Sequence, residues 1–486
     1  MRRSVATKGF FAVLLLALLM PSAAFAQEDA LNLGEAVPTV IDELNQTWVI
    51  VGAILVFFMQ AGFAFLEIGF SRGKNAGAGI AKIFVNFSIC MIVWWAVGFG
   101  IAFGGDGTIA GDSGFFFQFG REVAGEAASG ATAAFFIFQF MFAAVSLAIV
   151  WGSTLERIRF IVYPIYAVVF SAIIYPLIAH WGFGGGLFAE IGDGVQDFAG
   201  SSVVHLTGAT GALAVLLLLG PRRGKFGPDG KPRAIPGHNM PLFGLGVLIL
   251  WLGWFGFNGA STLETSGNRF AEVVAVTNLG AAAGVITASI TIALLSKKLD
   301  VGMAGNGAIA GLVAITAPSG YVEFWAAPII GGVAGILVVL SVLAIDKVVD
   351  DPVGALSAHG VAGIWGTLAC GLFTSPRLAE TVGVGEAGLF YTGSFGQLGA
   401  QAGAVAITFL TVFALSLTTF FVIKKTVGLR VDDETEDAGL DISEHGMYGY
   451  PEQFIPAPEL VGYGATPRTP ALGAVSPAST KEEIPA

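Results

Sequence analysis

The sequence predicts an all-α polytopic membrane protein. Eleven transmembrane helices are expected, as two inverted five-helix repeats plus a final helix, with the N-terminus outside and the C-terminus inside. Three observations lead there: a composition too apolar for a soluble domain, eleven apolar windows of spanning length, and a polar motif repeated at equivalent windows of the two halves. Of 486 residues, 55% are hydrophobic and 12% charged, about half the charged fraction of a soluble domain. Mean hydropathy is +0.76. The 68 glycines spread through the apolar runs suit helices packed closely in a bilayer. The formal charge of −11 comes largely from loops and a C-terminal acidic run, so no nucleic-acid partner is expected. Cys90 and Cys370 both lie in apolar runs and read as small core residues. No disulfide framework, metal site or cofactor is expected.

Residues 1–26 read as a secretory signal peptide. Arg2, Arg3 and Lys8 precede "FFAVLLLALLM", and Ala24-Phe25-Ala26 forms a small-x-small cleavage site before Gln27. An uncleaved first span is the alternative, but the run is short for one. An extracellular segment, 27–45, would follow, then a membrane domain over 46–426 and a cytoplasmic tail over 427–486. Windows able to cross about 30 Å of hydrocarbon fall near 46–68, 78–104, 132–154, 160–180, 199–220, 240–258, 271–296, 302–317, 322–345, 353–374 and 399–423. Loop charge tests the count independently. Sixteen basic residues, among them Arg72, Lys74, Lys82, Arg157, Arg222 and Lys225, fall on the expected inner side, against Arg121, Arg269 and Arg377 outside. That is a strong positive-inside bias.

The repeated motif is D-x-x-G-x-x-x-x-H. It joins Asp197, Gly200 and His205 at the start of the fifth window, and Asp351, Gly354 and His359 at the start of the tenth. Five spans per half is an odd number, so the halves insert with opposite orientation, an arrangement that places transporter sites near the midplane. Eight residues of helix rise about 12 Å, which puts both histidines close to mid-depth from opposite faces. Twin midplane histidines make a pore element; two unrelated core histidines, each bonded to a carbonyl, are the other reading. Each aspartate precedes an apolar run and reads as an N-cap, with an indirect effect of Asp197 on cation attraction left open. His180, His238 and His445 show no partner in the sequence and are assigned no pore role. Beyond Gly428 an acidic stretch could dock under the spans, and the last thirty or so residues have a disordered composition.

Several ordered motifs resemble the ammonium transporters (Amt/Mep, related to the Rh proteins) over roughly residues 45–450: "DFAGSSVVHLTGATGA", "GSTLERIRF", "WFGFNGAS", "NGAIAGLVAITA", "HGVAGIWGTL" and "GLDISEHG". The resemblance implies a homotrimer in the cell (inner) membrane, with a pore in each subunit. It matches the family's twin histidines to His205 and His359, its essential acid to Asp197, and its stacked pore phenylalanines to Phe142 and Phe257. The outer ammonium-recruiting site resembles Phe138 and Ser261. Its third member is usually a tryptophan just before a triple glycine, but "AHWGFGGGL" puts Phe183 there and Trp181 two residues earlier. Without the resemblance, these phenylalanines would read as packing, since 40 occur in the chain, and Ser261 as bonded to a helix carbonyl.

Such a site suits ammonium physically. Aromatic faces attract a partly desolvated cation, and a serine oxygen accepts an N–H bond. K⁺ has similar size and charge, but only ammonium can shed a proton and continue as a small neutral molecule through an apolar pore. Paired imidazoles offer hydrogen bonds to NH₃ and a route for the proton. The alternatives are a neutral-gas channel of the Rh kind, an ammonium sensor acting through the tail, and a haem-binding subunit with bis-histidine iron. The resemblance also suggests a PII-type signal protein as a cytosolic partner.

Overall fold

The computed structural model describes residues 33–454. The expected signal peptide and the end of the tail lie outside the described residues. The chain is mostly helical, because within hydrocarbon a backbone must satisfy its own N–H and C=O groups. Eleven principal helices follow in order. The first, α1 (Leu33–Phe70), begins before the apolar window. Next comes α2, made of Ala76–Val93, a π-helical turn at Trp94–Gly98, and Phe99–Phe103. Helix α3 spans Gly130–Gly152. Helix α4 joins Val162–Val169, a π-helical turn at Phe170–Ile174, and Tyr175–Phe183. In α5 a π-helical start, Ser201–Leu206, leads into Thr207–Leu219. Then come α6 (Met240–Phe257), α7 (Arg269–Ser296), α8 (Val301–Thr316) and α9 (Ala326–Ile345). Helix α10 repeats the design of α5, with π-helical Leu356–Val361 before Ala362–Phe373, and α11 spans Gly396–Thr426.

Ten of the eleven predicted windows hold helices long and apolar enough to cross a membrane. The window at 302–317 is the difference: α8 has only 16 residues, about 24 Å. It is buried nearly throughout, so neighbouring helices rather than lipid set its length. Burial separates the layers of the bundle. In α3 and α5, 83% of the spanning window is buried, against 28% in α2, α7 and α11. The centre therefore consists of α3, α5 and α8 with the 67% buried α10, and less buried helices surround it. Glycine permits the closest crossings: a Cβ on Gly331 would fall on the Gly280 carbonyl oxygen, and one on Gly246 on the Leu66 backbone nitrogen.

Residues following α11 fold back on the helix ends. Short helices α12 (Asp433–Ala438) and α13 (Leu440–His445) hold this strap. Asp441 Oδ1 accepts the Ala78 N–H at 2.8 Å, capping α2 from far along the chain, and Leu440 N–H donates to Asn75 at 2.9 Å. Beside the strap, the carboxylate of buried Asp350 accepts from Arg222 Nε at 3.0 Å and from the Arg222 backbone N–H at 2.8 Å. Burial alone would raise the Asp350 carboxyl, but the bonds and charges of Arg222 and Arg157 outweigh it and hold it at about 2. A carboxyl depressed on folding contributes stability above its unfolded pKa, near 3.9, and loses it as pH falls through the folded value. Asp350 is therefore expected to contribute about 2 kcal/mol above pH ~4, lost between about pH 4 and 2. Thermal melts of wild type and Asp350→Asn across that range check it. The variant should lose stability at pH 6 and show less acid sensitivity.

One predicted loop charge is not in a loop. Lys82 lies inside α2, buried, and pairs with Glu67 of α1.

Candidate functional site: a histidine pair between two cavities

The two D-x-x-G-x-x-x-x-H stretches fold alike. Each glycine takes a left-handed conformation, Gly200 with φ 113° and Gly354 with φ 75°, which lacks the Cβ penalty of other residues. Each then opens a π-helical turn carrying the histidine. Asp197 accepts four backbone N–H groups: Gly200 and Ser201 on Oδ1, each at 2.8 Å, and Ser202 and Val203 on Oδ2, at 2.9 and 3.0 Å. Asp351 accepts Leu356 N–H at 2.8 Å and the Ser153 hydroxyl at 3.0 Å. The expected cap is present in both, but the expected eight helical residues are not. Helix begins only at Ser201 and Leu356, so the preceding loops, not helical rise, carry the chain inward.

The histidines nevertheless meet. His205 Nδ1 lies 3.2 Å from His359 Nδ1, with the rings 5.2 Å apart and 22° from parallel. Both are buried. Two ring nitrogens share one hydrogen only if one is N–H and the other a lone pair. The rings therefore hold opposite tautomers, and their two Nε2 atoms present one donor and one acceptor. His205 Nε2 has no hydrogen-bond partner. Trp254 packs over His205 at 5.5 Å and 17°, fixed by its indole N–H to Thr316 at 2.9 Å.

Phe257 connects the pair to the phenylalanines. Its ring is 5.5 Å from His205 and stacks on Phe142 at 4.1 Å and 12°. Phe142 in turn meets Phe138 at 4.8 Å and Phe183 at 6.3 Å. Phe183 lines a cavity of about 560 Å³ that opens on the face away from the strap, where Asp106, Asp112 and Glu122 also sit. Ser261 donates its hydroxyl to the Phe257 carbonyl at 2.7 Å, leaving the oxygen lone pairs free to accept. Trp181 is engaged elsewhere. Its indole N–H binds the Ile109 carbonyl at 2.9 Å, and its ring packs on Phe188. Of the two candidates for the third outer position, the fold brings Phe183 to the cluster.

On the strap side, His359 lines a small cavity with Glu67, Gly152, Asn306 and Val353. Asn306 and Val353 also line a second cavity of about 370 Å³, among Arg222, Lys225 and Asp351. Aromatic cluster, histidine pair and two end cavities thus form one series through the bundle centre.

The profile of the Ammonium Transporter Family matches residues 47–450. The chain belongs to the ammonium transporter family. Ammonium transporter Amt2 of Archaeoglobus fulgidus is 41% identical over 461 residues, 92% of this chain and 96% of that protein. Ammonium transporter 3 of Dictyostelium discoideum is 35% identical, over 84% of this chain and 94% of its own. Among solved structures, a protein named Sensor Amt Protein superposes with a TM-score of 0.77 at 36% identity, covering 84% of this chain and all of that one. Mep2 of Saccharomyces cerevisiae does so with 0.73 at 28%, covering 80% and 88%. This transporter is a multi-pass membrane protein, and ammonium transport is its function.

Two features of the transporter escaped sequence reasoning. Trp254 lies in the motif "WFGFNGAS", and nothing in its spacing marks it as the cover of His205. Glu67 and Lys82 carry a visible signal, charge inside apolar runs, which a count of loop charges overlooks. Of the remaining histidines, His180 and His238 have hydrogen-bond partners and His445 has a ring contact. His180 Nδ1 lies 3.0 Å from the Ala102 carbonyl, with Nε2 against that of Gly107; His238 binds the Ser71 carbonyl at 2.7 Å; His445 packs on Phe160 at 4.8 Å.

Proposed function

We propose that ammonium is recruited at Phe138, Phe183 and Ser261, gives up a proton, and crosses as NH₃ past Phe142 and Phe257 to His205 and His359. The 3.2 Å contact between the two Nδ1 atoms carries this reading. Opposite tautomers leave an acceptor at one Nε2 and a donor at the other, so NH₃ finds hydrogen bonds at both and a proton can pass along the pair. Stacked Phe142 and Phe257 keep the segment above it apolar, and a hydrated ion meets its desolvation cost there. The acids around the Phe183 cavity raise the local cation concentration. Asp197 acts by holding the turn that presents His205. In this reading the transporter is a homotrimer in the cell (inner) membrane, with residues 1–26 removed, the mature N-terminus outside and the C-terminus cytoplasmic. A PII-type signal protein docks at the strap face.

Current on ammonium addition to proteoliposomes tests the mechanism. NH₃ flux without current would replace it by the neutral-gas reading. A sensor role is favoured by the likeness to Sensor Amt Protein and by the docked strap. Deleting residues 430–486 should alter transport rate if the strap signals; an unchanged rate removes that role.

The outer site gives a graded prediction. Tryptophan is the better cation–π partner, so Phe183→Trp is expected to lower half-saturating ammonium roughly two- to fivefold. Trp181→Phe should leave it within about twofold. Current against ammonium concentration measures both, and the reverse ranking would move the third outer position to Trp181.

A further inference from the structure

The geometry points to Gln401 of α11 as a positioning residue for the histidine pair: its amide ties the entry turn of α5 to α10 and so sets where His205 meets His359. The role rests on the pore reading of the two histidines and adds a residue to it. Gln401 is buried, in the second turn of α11. Its Oε1 accepts the Gln196 backbone N–H at 2.8 Å, and its Nε2 donates to the Gln196 carbonyl at 2.6 Å. The side chain thus pairs with that residue's main chain as a neighbouring strand would. Nε2 also donates to the Thr367 carbonyl of α10 at 2.9 Å, and Oε1 also accepts from Gln397 Nε2 at 3.0 Å. Two donors and two lone pairs are the whole capacity of an amide, and all are used.

What Gln401 holds is the residue directly before Asp197. Asp197 in turn holds the N–H groups of Gly200, Ser201, Ser202 and Val203. Within that turn, the hydroxyls of Ser202 and Thr367 hydrogen-bond at 2.6 Å. The α5 turn is therefore tied to α10 twice at one residue, directly through the Thr367 hydroxyl and by way of Gln401 through its carbonyl. His205 follows the turn on α5, and His359 precedes Thr367 on α10, so both ties act on the segments that carry the rings. A contact of 3.2 Å between ring nitrogens tolerates little slack, because a hydrogen bond weakens steeply with distance and angle. A fully satisfied buried network supplies the rigidity. The Gln196 side chain does a different job: it donates to the Val384 and Glu386 carbonyls at 2.9 and 3.0 Å and accepts the Thr374 hydroxyl at 2.7 Å. It braces the segment after α10 and leaves the tie to Gln401 to its main chain.

That division supplies the test. Gln401→Met keeps the side-chain length and removes every polar bond. The ratio of ammonium to K⁺ current in proteoliposomes should fall roughly three- to tenfold. Gln196→Met removes three hydrogen bonds but leaves the main-chain pairing with Gln401, and its ratio should stay within about twofold of wild type. Thermal melts put the stability losses of the two variants on one scale. A wild-type ratio in Gln401→Met, or an equal fall in both variants, would reduce Gln401 to a structural brace and overturn the proposal. Should Gln401→Met not yield monodisperse protein, Gln401→Asn, which draws the amide back by one methylene, is judged on the same ratio. Nitrogen NMR of histidine-labelled protein reads the pair itself, through the signals that His205→Ala and His359→Ala abolish. Those signals should shift or broaden in the Gln401 variant and not in Gln196→Met; unchanged signals in the Gln401 variant overturn the proposal as well. Failure here with intact selectivity effects of the histidine variants removes only the positioning role; failure of the histidine variants removes the pore reading itself.

Discussion

Alanine in place of His205 or His359 is expected to cost the transporter its discrimination between ammonium and K⁺. The two imidazoles fill the bundle centre, with Trp254 and Phe257 against one and Phe63 near the other. Removing either ring opens a void continuous with the small cavity beside His359. A space of that size and polarity admits water, and a hydrated path lowers the desolvation cost that excludes K⁺. A change of only ~1.4 kcal/mol in that barrier is a factor of ten, so the ratio of ammonium to K⁺ current should fall at least about tenfold in each variant. Electrophysiology of the reconstituted protein with the two ions compared is the measurement. An unchanged ratio in both variants would return the histidines to packing.

The second large effect is on stability. Asp197→Ala leaves four buried N–H groups, at Gly200, Ser201, Ser202 and Val203, without their acceptor. Hydrogen bonds to a charged group contribute about 1.5–3 kcal/mol each, though not additively, so a loss of at least about 3 kcal/mol is expected. The yield of monodisperse protein should drop with it. Asp351→Ala removes the acceptor of Leu356 N–H and a partner of Ser153, and its loss should be the smaller. Thermal melts of the two variants side by side give the ranking. Equal losses would mean that the two caps are equivalent and that Asp197 owes nothing to its extra bonds.

Both predictions begin in a motif that is legible without coordinates. The spacing of Asp197 to His205 and its echo at Asp351 to His359 locate two turns and assign the aspartates as caps. Spacing located the histidines wrongly along the helix, since the loops before Ser201 and Leu356 sink into the core before any helix starts. It also left Trp181 and Phe183 unranked. Two residues on one helix differ by about 200° of rotation, and only the neighbours decide which side faces the phenylalanines; the Ile109 carbonyl claims Trp181. Lys82 shows the opposite failure. Counting charges treated every basic residue near a window's end as a loop residue, whereas a carboxylate 15 positions earlier makes burial tolerable.

By itself, then, the sequence determined the class of the protein and the membrane-embedded segments. Hydrocarbon leaves a single chain of this composition little choice but helices, and apolar length can be counted. It determined the repeated cap-and-histidine turn as well, because a cap acts within a few residues of its own helix. Only the tertiary structure decided which side chains touch: His205 with His359 across 154 positions of chain, Phe142 on Phe257, and Glu67 with Lys82. Those pairings depend on the rotation and crossing of helices packed through small residues, a property of surfaces in contact rather than of order along the chain.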